Sequence, residues 1–270
     1  MKNKIFDCVT FFQENLQMEL RFNILKEVVD KFVVCESIYD HRGKEKKINF
    51  SKSNFPEVSS KIEHVVIKKK FPEKNTPWQN QSWQREFIFD GIKDAHSDDL
   101  VMFSDPDEIP NPEKIKNFDL VNKYGIFLQN MYTYKLNLFN KYESPWEGTR
   151  ICKKKDLKSI DWLRNSILMK NLKYSFWRID KEKNIQIINN GGWHFNYLLN
   201  PSKISKKFKS LAETSWDKEE FYNERNIKKK IDQKKDLFNR GHKFDVVKVD
   251  ESYPDYLKKN IDKYQEWIIE

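Results

Sequence analysis

Glycine is scarce in this sequence, with 7 glycines in 270 residues, which argues against glycine-rich loops as the main means of holding a nucleotide. Cysteine is rarer still: Cys8, Cys35 and Cys152 are odd in number, and no two of them have the spacing of metal ligands. Cys8 and Cys35 lie inside apolar runs, where a free thiol behaves as a small hydrophobic group. We therefore expect a protein of a reducing compartment that has no structural disulfides.

Long hydrophobic runs are also lacking. No apolar stretch approaches the ~18 residues that a membrane-spanning helix needs, so we expect at most peripheral contact with a membrane. Residues 1–10 carry Asp7 inside their apolar stretch and lack the core of a signal peptide. These features favour a soluble, cytoplasmic protein.

The composition is that of a globular domain, because 38% of the residues are hydrophobic and 14% are aromatic. The formal charge of +9 is compatible with nucleic acid, an anionic membrane surface or small anionic substrates as partners. A coding bias toward lysine explains that charge equally well. Acidic residues are interspersed among the lysines of residues 203–235, which is typical of a solvated helix face, so no nucleic-acid partner is expected.

Strand and helix patterns alternate through the first part of the chain. Apolar repeats every four residues predict an amphipathic helix from Asn15, and a second helix is predicted over residues 79–95. Short apolar runs that predict buried strands cover residues 5–12, 32–35, 62–67 and 100–103. Strands separated by helices indicate βαβ units, so we predict an α/β fold with a mostly parallel central sheet and flanking helices.

The later part of the chain reads differently. Residues 126–139 are aromatic and partly alternating, which predicts a strand or hairpin, and residues 185–188 predict a short strand. Helices are predicted over residues 203–212, 218–235 and 255–269. With no repeat and no flexible linker in view, we predict one domain over residues 1–200 and a helical C-terminal extension, residues 201–270, packed on it.

The strongest local signal is an acidic turn, Ser104-Asp105-Pro106-Asp107-Glu108, at the end of the predicted fourth strand. Ligands of open α/β sheets bind outside the carboxyl ends of the strands. Residues i and i+2 of an extended segment point the same way, so Asp105 and Asp107 are predicted to face one point, where Mn²⁺ or Mg²⁺ would neutralise them. The alternative is a solvated acidic turn whose carboxylates cap a helix.

Three weaker signals also suggest binding residues. Gly192 leaves the backbone open to a ligand, and His194 follows it with an imidazole that suits a metal; the alternative is a histidine packed beside aromatic residues. Glu36 ends a predicted strand and could accept hydrogen bonds from a ribose or base, or be an ordinary strand-end carboxylate. Arg85 could pair with a diphosphate, or be structural.

Together these segments resemble glycosyltransferase family 17, whose animal members are β-1,4-mannosyl-glycoprotein N-acetylglucosaminyltransferases. The resemblance runs from residue 5 to about residue 245 and is strongest before residue 112. The stretches that carry it are Ile5-Phe6-Asp7-Cys8, Phe11-Phe12, Met18-Glu19-Leu20-Arg21, the segment 28–37 ending in Val33-Val34-Cys35-Glu36-Ser37, Gly43-Lys44, Gln84-Arg85, the segment 104–110, and Gly192-Trp193-His194-Phe195.

The resemblance implies a GT-A-like fold, an inverting reaction, UDP-N-acetylglucosamine as donor and a metal on Asp105 and Asp107, with His194 completing the shell. It makes residues 1–112 the nucleotide-sugar half and residues 113–200 the acceptor half. The animal enzymes have a membrane anchor and work in the secretory pathway; this chain shows no sign of either, so a surface-glycan or lipid-linked saccharide acceptor is expected rather than a mannose-rich N-glycan.

The reaction also needs a carboxylate that deprotonates the acceptor hydroxyl. Glu108 is close to the predicted metal ligands in sequence, and it could be this base or could instead orient those ligands. Further candidates for the base are Glu147, Asp161 and Glu213. Two other functions remain open at this point: a metal-dependent phosphoesterase or nuclease using the same acidic turn, and a non-catalytic basic binding module. Binding of UDP in the presence of Mn²⁺ separates the three.

Overall fold

A computed structural model describes residues 3–116, 118–210, 212–213 and 218–270. Within these ranges the centre of the molecule is a ten-stranded sheet. Its strands are β1 (Ile5–Thr10), β2 (Lys31–Ser37), β3 (Ile62–Ile67), β4 (Leu100–Ser104), β5 (Glu108–Pro110), β6 (Tyr124–Thr133), β7 (Leu138–Phe139), β8 (Trp146–Lys153), β9 (Ile185–Asn196) and β10 (Asp245–Val246).

The N-terminal half of the sheet is parallel, in the order β3-β2-β1-β4. Its strands are continuous apolar runs because both faces are covered: Ile5 and Val9 of β1 contribute to one core, and Phe6 and Cys8 contribute to the core on the other face. The predicted α/β class and parallel N-terminal sheet are confirmed. The strand predicted at residues 62–67 has the same bounds as β3.

The other half of the sheet is mixed. β8 runs antiparallel to β4 and β6, whereas β9 runs parallel to β6 and antiparallel to β5. The short strand predicted at residues 185–188 is the start of β9, which is 12 residues long. Its middle contains Asn-Asn-Gly-Gly, which is typical of a turn by local propensity. Asn190 and Gly192 have positive φ, and the register with β6 shifts here, so β9 forms a bulge at this point and pairs again from Gly192 onward.

Helices cover both faces of the sheet. α1 (Asn15–Leu25) packs on one face, and α2 (Pro77–Glu86), α3 (Ile88–Gly91) and α5 (Ile160–Ser166) pack on the other, while α4 (Pro112–Ile115) follows β5. The helix predicted over residues 79–95 is divided into α2 and α3. Thr76 caps α2 through a capping box with Gln79, which is why the helix begins at Pro77.

The C-terminal segment contains α6 (Pro201–Ser210), α7 (Glu219–Tyr222), α8 (Glu224–Asp232) and α9 (Asp255–Lys259), followed by a 3₁₀ helix, Ile261–Trp267. The helix predicted over residues 218–235 is therefore divided into α7 and α8, and the helix predicted over residues 255–269 is divided into α9 and the 3₁₀ helix. The helix predicted over residues 203–212 corresponds to α6, and its residue 211 lies outside the described residues. Ile204 and Phe208 of α6 pack with Ile227 of α8 and Leu138 of β7 in a third core. In the described part of the chain, no helix is long and apolar enough to cross a membrane.

Candidate active site

The acidic turn lies where β4 ends, in the middle of the sheet, and it continues directly into β5. A cavity of about 500 Å³ opens at this point, and Asp105 and Asp107 both line it. Cavities of this size hold small-molecule ligands. The two aspartates follow the carboxyl end of a parallel strand, as predicted.

Asp105 is the more exposed of the two aspartates, with 32% of its side chain accessible. Its Oδ2 lies 2.9 Å from Nη2 of Arg164, on α5, and its Oδ1 lies 4.0 Å from Nη2 of Arg85, on α2. Burial alone would raise the pKa of the Asp105 carboxyl, but Arg164 and Arg85 outweigh it and hold that pKa below its usual range. Asp105 is therefore ionised and faces the cavity.

Asp107 is almost fully buried and has looser cationic neighbours. Nε2 of His194 is 3.5 Å from its Oδ1, and Nζ of Lys207, on α6, is 3.9 Å from its Oδ2. Burial opposes ionisation of Asp107, but these two neighbours hold its pKa well below its usual range. Burial likewise lowers the pKa of His194, and the carboxylates of Asp107, Glu108 and Asp105 reverse this, so that the pKa is raised. We call Asp105, Asp107, His194 and Lys207 the cavity cluster.

Glycine at position 192 allows His194 to reach the acidic turn. Gly192 has φ +134°, and a Cβ atom there would lie 2.1 Å from the carbonyl oxygen of Ile109, so only glycine permits β5 and β9 to pair this closely. That pairing places His194 opposite Glu108. The prediction that Gly192 itself approaches a ligand is not supported, because its free face is filled by the backbone of β5.

Glu108 does not face the cavity as a catalytic group. Its side chain is fully buried: Oε1 accepts hydrogen bonds from Nε1 of Trp146 and Nη2 of Arg164, both at 2.6 Å, and Oε2 accepts one from the backbone N–H of Asp105 at 3.1 Å. Glu108 is absent from the cavity lining, so its carboxylate does not face a substrate there. The prediction that Glu108 is a catalytic residue is corrected: it positions Arg164 and the backbone of the turn.

Arg21 binds the other side of the turn. This fully buried side chain forms a bidentate ion pair with Asp7 of β1, at 2.5 and 2.6 Å, and donates to the Ser104 hydroxyl at 2.9 Å and to the Glu108 carbonyl at 2.7 Å. The contacts connect α1, β1 and the end of β4. We call Asp7, Arg21, Ser104 and Glu108 the scaffold cluster.

Glu36 is also structural. Its carboxylate is fully buried and accepts hydrogen bonds from Nζ of Lys46 and from the backbone N–H groups of Asn49 and Phe50, at 2.5 to 3.0 Å. The predicted contact with a ribose or base is not supported, because these donors saturate the carboxylate and Glu36 does not line the cavity. Instead it fixes the segment that follows β2.

Arg85, by contrast, lines the cavity, so its predicted contact with a diphosphate stays a prediction. Its Nη1 is 2.8 Å from Oδ1 of Asp161 and its guanidinium lies 5.6 Å from the centre of the Phe103 ring. Nearby on the same wall are His41, which bonds Gln84 at 2.9 Å, and the half-exposed indole of Trp78. Glu147 and Asp161 lie outside the cavity lining, whereas Glu213 belongs to it.

The C-terminal segment forms part of the cavity wall. Lys207, Glu213 and Arg240 are among its lining residues there. Lys207 is 13% exposed at its side chain, and Nζ lies 3.1 Å from Oε1 of Glu14, on the loop between β1 and α1. The prediction that this lysine-rich stretch is a solvated face holds for Lys203, Lys206 and Lys209 but is wrong for Lys207.

Sequence reasoning also missed Arg164, which binds both Asp105 and Glu108, because nothing in its local sequence separates it from a surface arginine. The signal for Lys207 was the apolar spacing of α6, where Ile204 and Phe208 are buried: residue 207 lies next to that face.

The donor set suits a hard divalent cation. Asp107 Oδ1 and His194 Nε2 are 3.5 Å apart, close to the separation of about 3 Å between adjacent ligands in an octahedral shell with bonds near 2.1 Å. Nδ1 of His194 is buried without a hydrogen-bond partner. Among the described residues, no three His, Cys, Asp or Glu side chains already form a complete metal-binding group, so the remaining ligands would come from Asp105 and from a substrate.

A model of glycosyltransferase family 17 matches residues 1–259. The chain belongs to this family. Two curated relatives are the β-1,4-mannosyl-glycoprotein 4-β-N-acetylglucosaminyltransferases of Rattus norvegicus and Homo sapiens, each 27% identical over 117 residues, which is 40% of this chain and 22% of the relative. The match therefore spans about a fifth of the length of those enzymes.

Among solved structures, glucosyl-3-phosphoglycerate synthase from Mycobacterium tuberculosis, in complex with Mn²⁺, UDP and phosphoglyceric acid, is 11% identical. The likeness covers 72% of this chain and 69% of that chain, with a TM-score of 0.37. The family is shown by the sequence match over residues 1–259.

Proposed function

We propose that this protein is a metal-dependent, inverting glycosyltransferase that moves a sugar from a UDP-sugar to a hydroxyl of a glycan or lipid-linked saccharide. N-acetylglucosamine is the proposed sugar, since the related rat and human enzymes are named for its transfer. One observation carries the proposal: the two aspartates of the acidic turn face a cavity of about 500 Å³ and are surrounded there by Arg85, Arg164 and Lys207. Such an alternation of carboxylates and cations suits a metal–diphosphate pair.

Asp105, Asp107 and His194 are the residues that would hold Mn²⁺ or Mg²⁺, which supplies a Lewis acid against the charge that develops on the departing diphosphate. Arg85 and Arg164 supply fixed positive charge at the same wall. Because Arg164 is already held by Glu108 at 2.6 Å, its guanidinium needs little reorganisation when a substrate binds.

Lys207 is proposed as a ligand of the donor diphosphate. In the free protein its ammonium lies between Glu14 and Asp107, and only the Glu14 distance, 3.1 Å, is short enough for a hydrogen bond. A cation held by Asp107 would share the charge of its carboxylate and weaken the attraction of Asp107 for Lys207. A phosphate oxygen beside Asp107 is then the anion within reach of the ammonium group.

The base that takes the proton from the acceptor hydroxyl is proposed to be Glu213. Of the carboxylates predicted for this role, Glu108 is saturated with donors, and Glu147 and Asp161 lie outside the cavity lining. Glu213 lines the cavity from the C-terminal segment.

Calorimetric titration with UDP tests the donor assignment, with and without Mn²⁺ and after chelation with EDTA. We expect UDP to bind in the presence of Mn²⁺, GDP and CMP to bind more weakly, and UDP-N-acetylglucosamine to be hydrolysed slowly to UDP and the free sugar. Binding of GDP or CMP in preference to UDP would change the donor. Release of inorganic phosphate from UDP would favour a phosphoesterase instead.

A further inference from the structure

The loop of residues 174–183, between the 3₁₀ helix Met169–Lys173 and β9, exposes three large apolar side chains together. Phe176 is 85% exposed, Trp177 is 66% exposed and Ile179 is 95% exposed. Single exposed apolar residues are common on protein surfaces, but a contiguous group of this kind marks an interaction site. The loop therefore presents a surface for which the described residues provide no cover.

This loop is an ordered turn. The N–H of Arg178 donates to the carbonyl of Ser175 at 3.0 Å, and the N–H of Lys181 donates to the carbonyl of Arg178 at 3.1 Å. Arg178 also pairs with Asp180 at 2.7 Å, and the rings of Phe176 and Trp177 pack edge to face with centroids 5.1 Å apart. These contacts fix the backbone in a form that directs the apolar side chains into solvent.

The exposed area is too small for a stable protein partner. Side chains of this size each offer roughly 150–250 Å², so the three together present roughly 500 Å². A stable protein–protein interface buries about 800 Å² on each partner. A second copy of this chain or another folded protein would need further contacts, whereas shallow insertion into a lipid surface needs only a few apolar side chains.

The charge around the loop selects the kind of lipid surface. Residues 170–183 contain five basic residues (Lys170, Lys173, Arg178, Lys181 and Lys183) and two acidic ones (Asp180 and Glu182). Arg178 and Lys181 lie over the Tyr174 ring, 5.2 and 5.9 Å from its centre. Aromatic residues prefer the membrane–water interface, and clustered basic residues prefer anionic headgroups.

We propose that residues 170–183 dock the protein on an anionic phospholipid surface. Phe176, Trp177 and Ile179 enter the boundary between headgroups and acyl chains, and the basic residues contact the headgroups. This surface is separate from the cavity. None of residues 174–183 lines the cavity as the structure describes it. The part of β9 from Ile185 to His194 pairs with the seven-residue step from Tyr124 to Met131 of β6, so it carries the chain about 23 Å along the sheet.

Vesicle co-sedimentation tests the proposal. The full chain is mixed with vesicles of phosphatidylcholine alone or with about one third phosphatidylserine, and we expect at least about tenfold tighter binding to the second. The triple variant Phe176→Ser, Trp177→Ser, Ile179→Ser should lose about tenfold or more of that binding, and Lys170→Gln with Lys173→Gln should weaken it and reduce its sensitivity to salt.

The matched control is Val121→Ser with Tyr142→Ser, which removes exposed apolar side chains elsewhere and should bind vesicles as the unaltered protein does. Melting temperatures of all variants show whether they are folded. The proposal is overturned if the unaltered protein binds neither vesicle, or if the triple variant binds like the unaltered protein. It is equally overturned if sedimentation velocity shows that the loop instead mediates self-association.

Discussion

Two groups of polar and charged residues meet at one turn of this protein, and they differ in how tightly they are held. In the scaffold cluster, Arg21 contacts Asp7, Ser104 and Glu108 at 2.5 to 2.9 Å, and all four residues are buried. In the cavity cluster, Asp107 lies 3.5 Å from His194 and 3.9 Å from Lys207. The short hydrogen bonds of Arg21 fix the backbone of the turn. The longer distances around Asp107 leave its neighbours free to contact a ligand instead.

The comparison is sharpest between Asp107 and Glu108, which are neighbours in the sequence. Glu108 is the first residue of β5 and turns its side chain toward Trp146 and Arg164, inside the sheet. Asp107 precedes the strand and faces the cavity. Adjacent carboxylates thus have different surroundings because the start of a strand lies between them.

The largest effect is expected from breaking the scaffold cluster. Arg21→Met leaves the Asp7 carboxyl in the core without its partner, and loss of one partner of a buried ion pair costs about 3–5 kcal/mol. Urea unfolding should show this loss of stability. Lys26→Met, which removes a mainly exposed ion pair with Glu57, is the control and should change stability little. Equal stability of the two variants would show that the buried pair does not hold the turn.

A second, functional effect is expected from Asp107→Asn. Loss of a metal ligand should reduce hydrolysis of UDP-N-acetylglucosamine by at least about 100-fold and weaken Mn²⁺ binding, with the melting temperature nearly unchanged. Glu108→Gln is the matched variant: its new NH₂ group faces the donors of Trp146 and Arg164, so the melting temperature should fall as well. Identical thermal behaviour of both variants would remove the distinction between the two clusters.

The sequence predicted the parts of this arrangement that depend on local pattern. The apolar runs of β1 to β4 are buried on both faces, so their strands, and the acidic turn that follows β4, could be located. Arg164, Lys207 and Arg21 could not be assigned partners, because each ion pair joins segments that are distant in sequence. Glu36 and Gly192 were misread as ligand contacts for the same reason: the Asn49–Phe50 backbone and β5 occupy their free sides.

A smaller effect is expected from Lys207→Met, which changes the cavity cluster without removing a proposed metal ligand. Loss of a charge-assisted hydrogen bond should weaken UDP binding in Mn²⁺ by about 10- to 100-fold and leave uridine binding unchanged, because uridine has no phosphate. Mn²⁺ alone should bind somewhat more tightly, since a cation 3.9 Å from Asp107 is gone.

Lys206→Met, on the exposed side of the same helix, controls for general loss of positive charge, and Lys207→Arg should restore most UDP affinity. A purely structural ion pair with Glu14 predicts a different result: a lower melting temperature, with UDP and uridine affected alike. If the unaltered protein binds no UDP, the donor assignment itself is wrong.

The smallest effect is expected from Trp78→Ala, on the same helix as Arg85. Trp78 lies in the first turn of α2, lines the cavity and is 52% exposed, so its indole is available as a stacking surface for a base. Stacking of a base on an aromatic side chain contributes about 1–3 kcal/mol, so UDP affinity should fall about 5-fold or more. Uridine affinity should fall by the same factor, in contrast to Lys207→Met, because the contact involves the base and not the phosphates.

Ligand-observed NMR with UDP and with uridine measures the two factors. Trp78→Phe, which keeps an aromatic face, should recover part of the lost affinity. A loss confined to UDP would contradict this prediction, because it would place the diphosphate rather than the base beside Trp78.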